Sequence, residues 1–145
     1  MPTVAALLGA GGLIPFVLGA AGLWLAAPEL HARIASALSG WSAVILAFMG
    51  AVHWGARLDR EDGRARAMTI SVLPAIAGWL MMMQPPVTGT WQFAVAFGAL
   101  YLLDRREAAA GRLPAWYPRL RRPLTAVVVA SLVAAGSALR AHGAG

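Results

Sequence analysis

Five stretches of this chain run for 16 residues or more without an Asp, Glu, Lys or Arg, and prolines or charged residues stand at their borders. They are Val4–Ala27 (24 residues), Ile34–Ala56 (23), Ala67–Gln84 (18), Val87–Leu103 (17) and Leu124–Leu139 (16). About 20 mostly apolar residues cover the hydrocarbon of a bilayer as a helix. The pattern therefore predicts an all-α integral membrane bundle of five transmembrane helices in a single membrane domain, residues 1–145. Pro28-Glu29, the run Arg57–Arg66, Pro85-Pro86 and Asp104-Arg105-Arg106 are expected to end the first four helices. Pro123 suits the first position of the fifth, where its missing N–H costs nothing. Met1-Pro2-Thr3 has no basic residue, and the 24 residues that follow exceed a signal core of roughly 7–15. That stretch is expected to stay as a span.

Composition sharpens the class. The chain is 59% hydrophobic with 16 Gly besides, and 12% charged, about half the roughly 25% of a soluble domain. So few charges cannot cover a water-soluble globule, and so much apolar content excludes a disordered chain. The absence of Cys excludes a disulfide scaffold, a thiolate metal site and a Cys nucleophile.

All 12 basic residues are Arg. With five spans, ten of them (Arg57, Arg60, Arg64, Arg66, Arg105, Arg106, Arg112, Arg119, Arg121, Arg122) share one side with the N-terminus, and Arg33 and Arg140 lie opposite. The positive-inside rule then predicts a cytoplasmic N-terminus and a periplasmic C-terminus in a bacterial inner membrane. The net charge of +6 reads as topology and attraction to anionic lipid headgroups, not as a nucleic-acid signature. Trp24, Trp41 and Trp91 fall near the outer helix ends, and Trp54, Tyr101, Trp116 and Tyr117 near the inner ends, as interfacial belts. Trp79 lies deeper and is expected to face another helix.

Small residues recur every four positions in two spans: Ser39, Ala43, Ala47, Ala51, Gly55, and Ala126, Ala130, Ala134, Ala138. Such rows let backbones approach within the bundle or against another transmembrane subunit. Pro15 and Pro74 are expected to kink their helices.

Candidate chemistry is sparse. No Asp or Glu falls inside a span, and five spans do not divide into two equal repeats, which argues against a monomeric ion-coupled carrier. His53 is the one titratable group within a span, with Arg57 one turn on. His31 and His142 are expected on the other side of the membrane, so no bis-His haem is expected. There is no phosphate loop, nucleophile elbow or HExxH. No catalytic residue, metal or cofactor is assigned.

Several segments carry a family likeness: Gly50-Ala51-Val52-His53-Trp54-Gly55, Ser71-Val72-Leu73-Pro74, Tyr101-Leu102-Leu103-Asp104-Arg105, Leu113-Pro114-Ala115-Trp116-Tyr117, Arg119-Leu120-Arg121 and Pro123-Leu124-Thr125. In order and spacing, from about Leu13 to Val133, the chain resembles the transmembrane protein 69-like family, also described as domain of unknown function 3429. The resemblance implies a small multi-span protein of bacterial inner membranes or mitochondria, with no established activity. These segments converge on the inner interface, and His53, Trp54, Arg57, Ser71, Asp104, Arg105, Trp116, Tyr117 and Arg119 form the candidate ligand-binding set. Asp104 is expected to pair with Arg57, Arg105 or Arg119. The role expected from size and the small-residue rows is an accessory subunit or assembly factor of a larger membrane complex. The alternative is a binding protein for a lipid headgroup, quinone or other amphiphile around His53.

Overall fold

The computed structural model describes residues 3–56 and 64–143, which form five helices and no strand. They are α1 (Thr3–Leu25), α2 (Pro28–Gly55), α3 (Arg64–Met82), α4 (Pro86–Ala109) and α5 (Tyr117–Ala141). Arg57 and the acidic turn after it lie outside the described residues.

Every helix but α1 is longer than its apolar stretch. Apolarity marks where lipid ends, whereas a helix ends where its backbone groups find other partners. Pro28 starts α2 at its first turn, so His31 and Arg33 are helical rather than loop. Asp104-Arg105-Arg106 does not end α4; the helix runs on to Ala109. It stops at Gly111, whose φ of +70° few side chains tolerate. There the Arg112 N–H donates to Glu107 O at 2.9 Å and the Gly111 N–H to Ala108 O at 3.0 Å, which closes the helix end in a Schellman arrangement. The fifth helix begins at Tyr117, with Pro118 in its first turn, so Pro123 sits inside the helix rather than at its start.

Successive helices run in opposite directions. Trp41 of α2 donates to Gly12 O of α1 at 3.1 Å, and a Cβ on Gly22 would meet Ile34, so α1 and α2 are antiparallel. Gly50 packs on Ser71 and Pro74 while Gly78 packs on Ala43, which makes α2 and α3 antiparallel. Along α4 and α5, Asp104 meets Arg121 at one end and Trp91 meets Gly136 at the other. The first and last helices are parallel neighbours: Gly9 faces Leu124, and Trp24 donates to Ala134 O at 3.0 Å. The end of α2, the start of α3, the end of α4 and the start of α5, with Arg66, Arg105, Arg106, Arg112, Arg119, Arg121 and Arg122, are thereby gathered at one end of the bundle.

The polarity of the bundle is inverted relative to a soluble protein. Leu8 (73% exposed), Leu25 (85%) and Val95 (72%) lie outside, while Asp104 and Ser42 are sealed within. A large apolar exterior of this kind needs lipid, not water, around it. The interior is built on Phe16, Leu23, Leu46, Phe93, Phe97 and Leu132, with Phe16 and Phe97 edge to face at 5.7 Å. Trp79 is exposed on the lipid-facing surface, contrary to the sequence expectation, because α3 turns that side away from α2.

Four helices are long and apolar enough to cross a membrane: α1, α2, α5 and, in α3, Ala65–Met82. The remaining helix, α4, carries Thr90, Asp104 and Glu107, all of them buried against its neighbours. It touches α5 from Trp91–Gly136 to Asp104–Arg121, so it traverses the same thickness. Protein groups, not lipid, meet these three: Thr90 donates to Pro86 O within the helix at 2.7 Å, and arginines reach Asp104 and Glu107.

Candidate ligand-binding site

Three helices meet in a buried polar knot at the arginine-rich end. The carboxylate of Asp104 on α4, fully buried, accepts from His53 Nε2 on α2 at 2.9 Å through Oδ1. Its other oxygen, Oδ2, accepts from Arg121 Nε on α5 at 2.8 Å. His53 and Arg121 are themselves about 95% buried. A carboxylate here would carry a large desolvation penalty alone, and the guanidinium and imidazole are what offset it.

The register of α5 explains why Arg121 takes this place. A helix starting at Tyr117 puts Tyr117, Arg121 and Thr125 on one face at four-residue spacing, and all three are buried. Arg119 and Arg122 fall on the exposed side of the same helix. Arg105, next to Asp104 in sequence, is likewise exposed, since adjacent helical residues point about 100° apart. Of the three arginines expected to pair with Asp104, Arg105 and Arg119 therefore do not, and Arg57 lies outside the described residues. Arg121 is not among the partners the sequence offers for Asp104. The spacing Tyr117–Arg121–Thr125 is the signal for it, and it stays hidden when the span is counted from Leu124.

The remaining candidates divide. Trp116 and Tyr117 stand beside Arg121, their own rings edge to face at 6.0 Å. Ser71 is buried, but its hydroxyl donates to Met68 O at 2.8 Å within α3. Trp54 lies outside the knot, 42% exposed.

A second ionic contact closes the same end from outside the apolar stretch. Glu107 accepts from Arg112 Nη2 at 2.8 Å and from Arg66 Nη2 at 3.0 Å, tying the α4 terminus to its following loop and to α3. The hydrogen bond from Arg112 is the largest influence on Glu107 and holds its carboxyl below the ordinary range, against the opposing effect of burial.

Beside the knot, α1, α2 and α5 leave a cleft of about 330 Å³ in the half of the bundle nearest the arginine-rich end. Its walls are apolar, with Gly12, Phe16, Val52 and Val128 among them. Two of its lining residues, Leu8 and Phe48, are more than 60% exposed, so the cleft opens sideways onto the lipid-facing surface. Trp116, Tyr117 and Arg121 are the lining residues with polar side-chain groups. The volume is at the lower end of small-molecule sites, roughly 300–1,000 Å³. Gly12 keeps the cleft open: a Cβ there would meet nothing within 4 Å.

At the opposite end, His31 and His142 approach with ring centroids 4.7 Å apart. Each has one ring nitrogen on a carbonyl, His31 on Ala26 O at 3.1 Å and His142 on Ala138 O at 2.8 Å. No group of three or more metal-ligating side chains occurs among the described residues.

An exterior of leucine and valine around a sealed carboxylate makes this a multi-span membrane protein rather than a soluble bundle. The profile of the family described as "Protein of unknown function (DUF3429)" matches residues 1–136, and the chain belongs to that family. Transmembrane protein 69 of Xenopus tropicalis is 33% identical to it over 136 residues, 91% of this chain and 53% of that protein. The chain thus spans about half the length of the curated relative it matches. No solved structure matches it.

Proposed function

We propose that this protein binds an amphiphile from the surrounding membrane, taking the apolar part into the cleft between α1, α2 and α5 and the polar head toward Tyr117 and Arg121. The observation that carries the reading is the form of the cleft: apolar walls, a lateral opening between Leu8 and Phe48, and polar groups gathered at the start of α5, from Trp116, Tyr117 and Arg121. His53 and Asp104 serve this site indirectly, by fixing the Arg121 guanidinium. The arginine distribution supports a bacterial inner membrane with this end toward the cytoplasm.

The test is to fill the cleft. Gly12→Leu places a side chain in open space and leaves the helix sound. Protein purified in mild detergent is extracted, and its co-purifying lipids are identified by mass spectrometry. The variant is expected to lose a species that the wild type retains, at unchanged melting temperature. Identical lipid content in both proteins would overturn the reading.

A second reading, an accessory subunit of a larger membrane complex, draws on the exposed Ala126 and Ala130, one turn apart on α5. Leucine at both positions is expected to release such a partner in pull-downs from native membranes. An unchanged set of co-purifying subunits counts against it.

A further inference from the structure

The cleft's polar groups differ in kind from its walls, and they restrict the ligand's head. Tyr117 Oη has Met49 Sδ as its partner at 4.0 Å, and a thioether is a weak acceptor that a better one readily displaces. One turn on, Arg121 Nη2 is buried with no hydrogen-bond partner. One turn further, Thr125 Oγ1 is also buried and unpartnered. Buried donors left unmet are costly, and of these three Tyr117 and Arg121 line the cleft, so its wall on α5 calls for a hydrogen-bond acceptor.

Charge decides what sort of acceptor. The negative charge of Asp104 already answers that of Arg121 at 2.8 Å, and both groups are sealed from solvent. With the His53 imidazole uncharged, an anionic head brought beside them would leave one negative charge uncompensated in a low-dielectric interior. Among the described residues, Arg119 and Arg122 do not supply the missing cation, because they are exposed and do not line the cleft.

We infer, on the basis of the amphiphile reading above, that the cleft selects ligands whose head is an uncharged carbonyl, such as a quinone ring or a neutral ester, and discriminates against phosphate heads on the same tail. Tyr117 and Arg121 donate to the carbonyl. Asp104 acts as a positioning and charge-balancing residue that never touches the ligand.

Three probes with equal ten-carbon tails test this on the full chain in detergent: a decyl-substituted benzoquinone, 1-undecanoylglycerol and decyl phosphate. Dissociation constants are read from Trp fluorescence or thermophoresis. At least one carbonyl probe is expected to bind about tenfold or more tightly than decyl phosphate; whichever of the two binds better names the source of the head. Tyr117→Phe is expected to weaken the carbonyl probes about fivefold, the loss of one hydrogen bond, without moving decyl phosphate. Asp104→Asn uncovers the guanidinium and is expected to reverse the order; the tyrosine variant keeps the test sound if that protein folds poorly. Decyl phosphate binding wild type as tightly as the carbonyl probes, or Tyr117→Phe leaving all three unchanged, overturns the inference. Gly12→Leu separates the two levels. If it abolishes binding while the head preference is absent, the cleft stands and the selectivity falls; if it changes nothing, or no probe binds the wild type, both fall.

Discussion

His53 of α2 and Asp104 of α4, 51 positions apart in the chain, meet at 2.9 Å inside the bundle, and Arg121 of α5 closes on the carboxylate from its other side. This knot joins three helices whose remaining contacts in that half are largely van der Waals, and truncating it has unequal consequences. Asp104→Ala strands a buried guanidinium and is expected to cost about 3–5 kcal/mol, the usual loss when one partner of a buried pair is removed. His53→Ala leaves the ion pair intact and is expected to cost about 1–2 kcal/mol. Replacing both Asp104 and Arg121 by Leu is expected to cost less than Asp104→Ala alone, because no charge is left unpaired. Thermal unfolding in detergent gives the order. Equal losses from Asp104→Ala and His53→Ala would show the charge to be unimportant.

The α2–α3 contact depends on the missing side chain of Gly50. A Cβ there would lie 2.8 Å from both Ser71 O and Pro74 Cγ, and neither a backbone carbonyl nor a proline ring can swing aside. Gly50→Ala is therefore expected to destabilise by about 1–3 kcal/mol, the scale of overpacking. Gly40→Ala, on the same helix with nothing within 4 Å, is expected to be neutral or slightly stabilising. Melting temperatures of the pair check this, and a similar shift in both would mean the two helices slide apart freely.

Glu107 makes the arginine-rich end sensitive to acid. Its carboxyl is held below the ordinary glutamate range, chiefly by the hydrogen bond from Arg112. A depressed folded-state value means that the stabilisation is complete above the unfolded pKa of about 4.3 and disappears as pH falls through the lowered folded value. With Arg66 about half exposed, the effect is of order 1 kcal/mol. Melting curves between about pH 7 and pH 3 should fall more steeply for wild type than for Glu107→Gln, which starts lower. Parallel curves would remove Glu107 from the account.

Orientation is open to direct labelling, because the chain contains no cysteine. Ala110→Cys and Ala141→Cys place single thiols at exposed positions at opposite ends of the bundle. An impermeant maleimide applied to intact spheroplasts is expected to label Ala141→Cys and to reach Ala110→Cys after permeabilisation only. The reverse pattern would invert the membrane assignment.

Much of this architecture is visible in the sequence, and what is hidden has a common cause. Uninterrupted apolar stretches locate all five helices, since lipid exposure demands them whatever the tertiary packing. His53 and Asp104 are also visible, as polar groups where few others occur. The start of α5 is not: Trp116–Pro123 is polar enough to pass for loop, and with it went the register that turns Arg121 inward and Arg119 outward. The cleft is hidden for a different reason. Gly12, Val52 and Val128 each look like any other membrane residue, and only the side-by-side placement of α1 with α5 makes a space among them.

That placement sets a timetable. The first helix buries few residues, Phe16, Ala20 and Leu23, and one of its fastenings is the Trp24 indole on Ala134 of the last helix. A ribosome releases α1 long before its parallel neighbour exists, so the opening helix waits in the bilayer for the closing one. The cavity thus comes into being only once α5 is made, and a nascent chain stalled before that helix would lack the wall that carries the tyrosine and arginine.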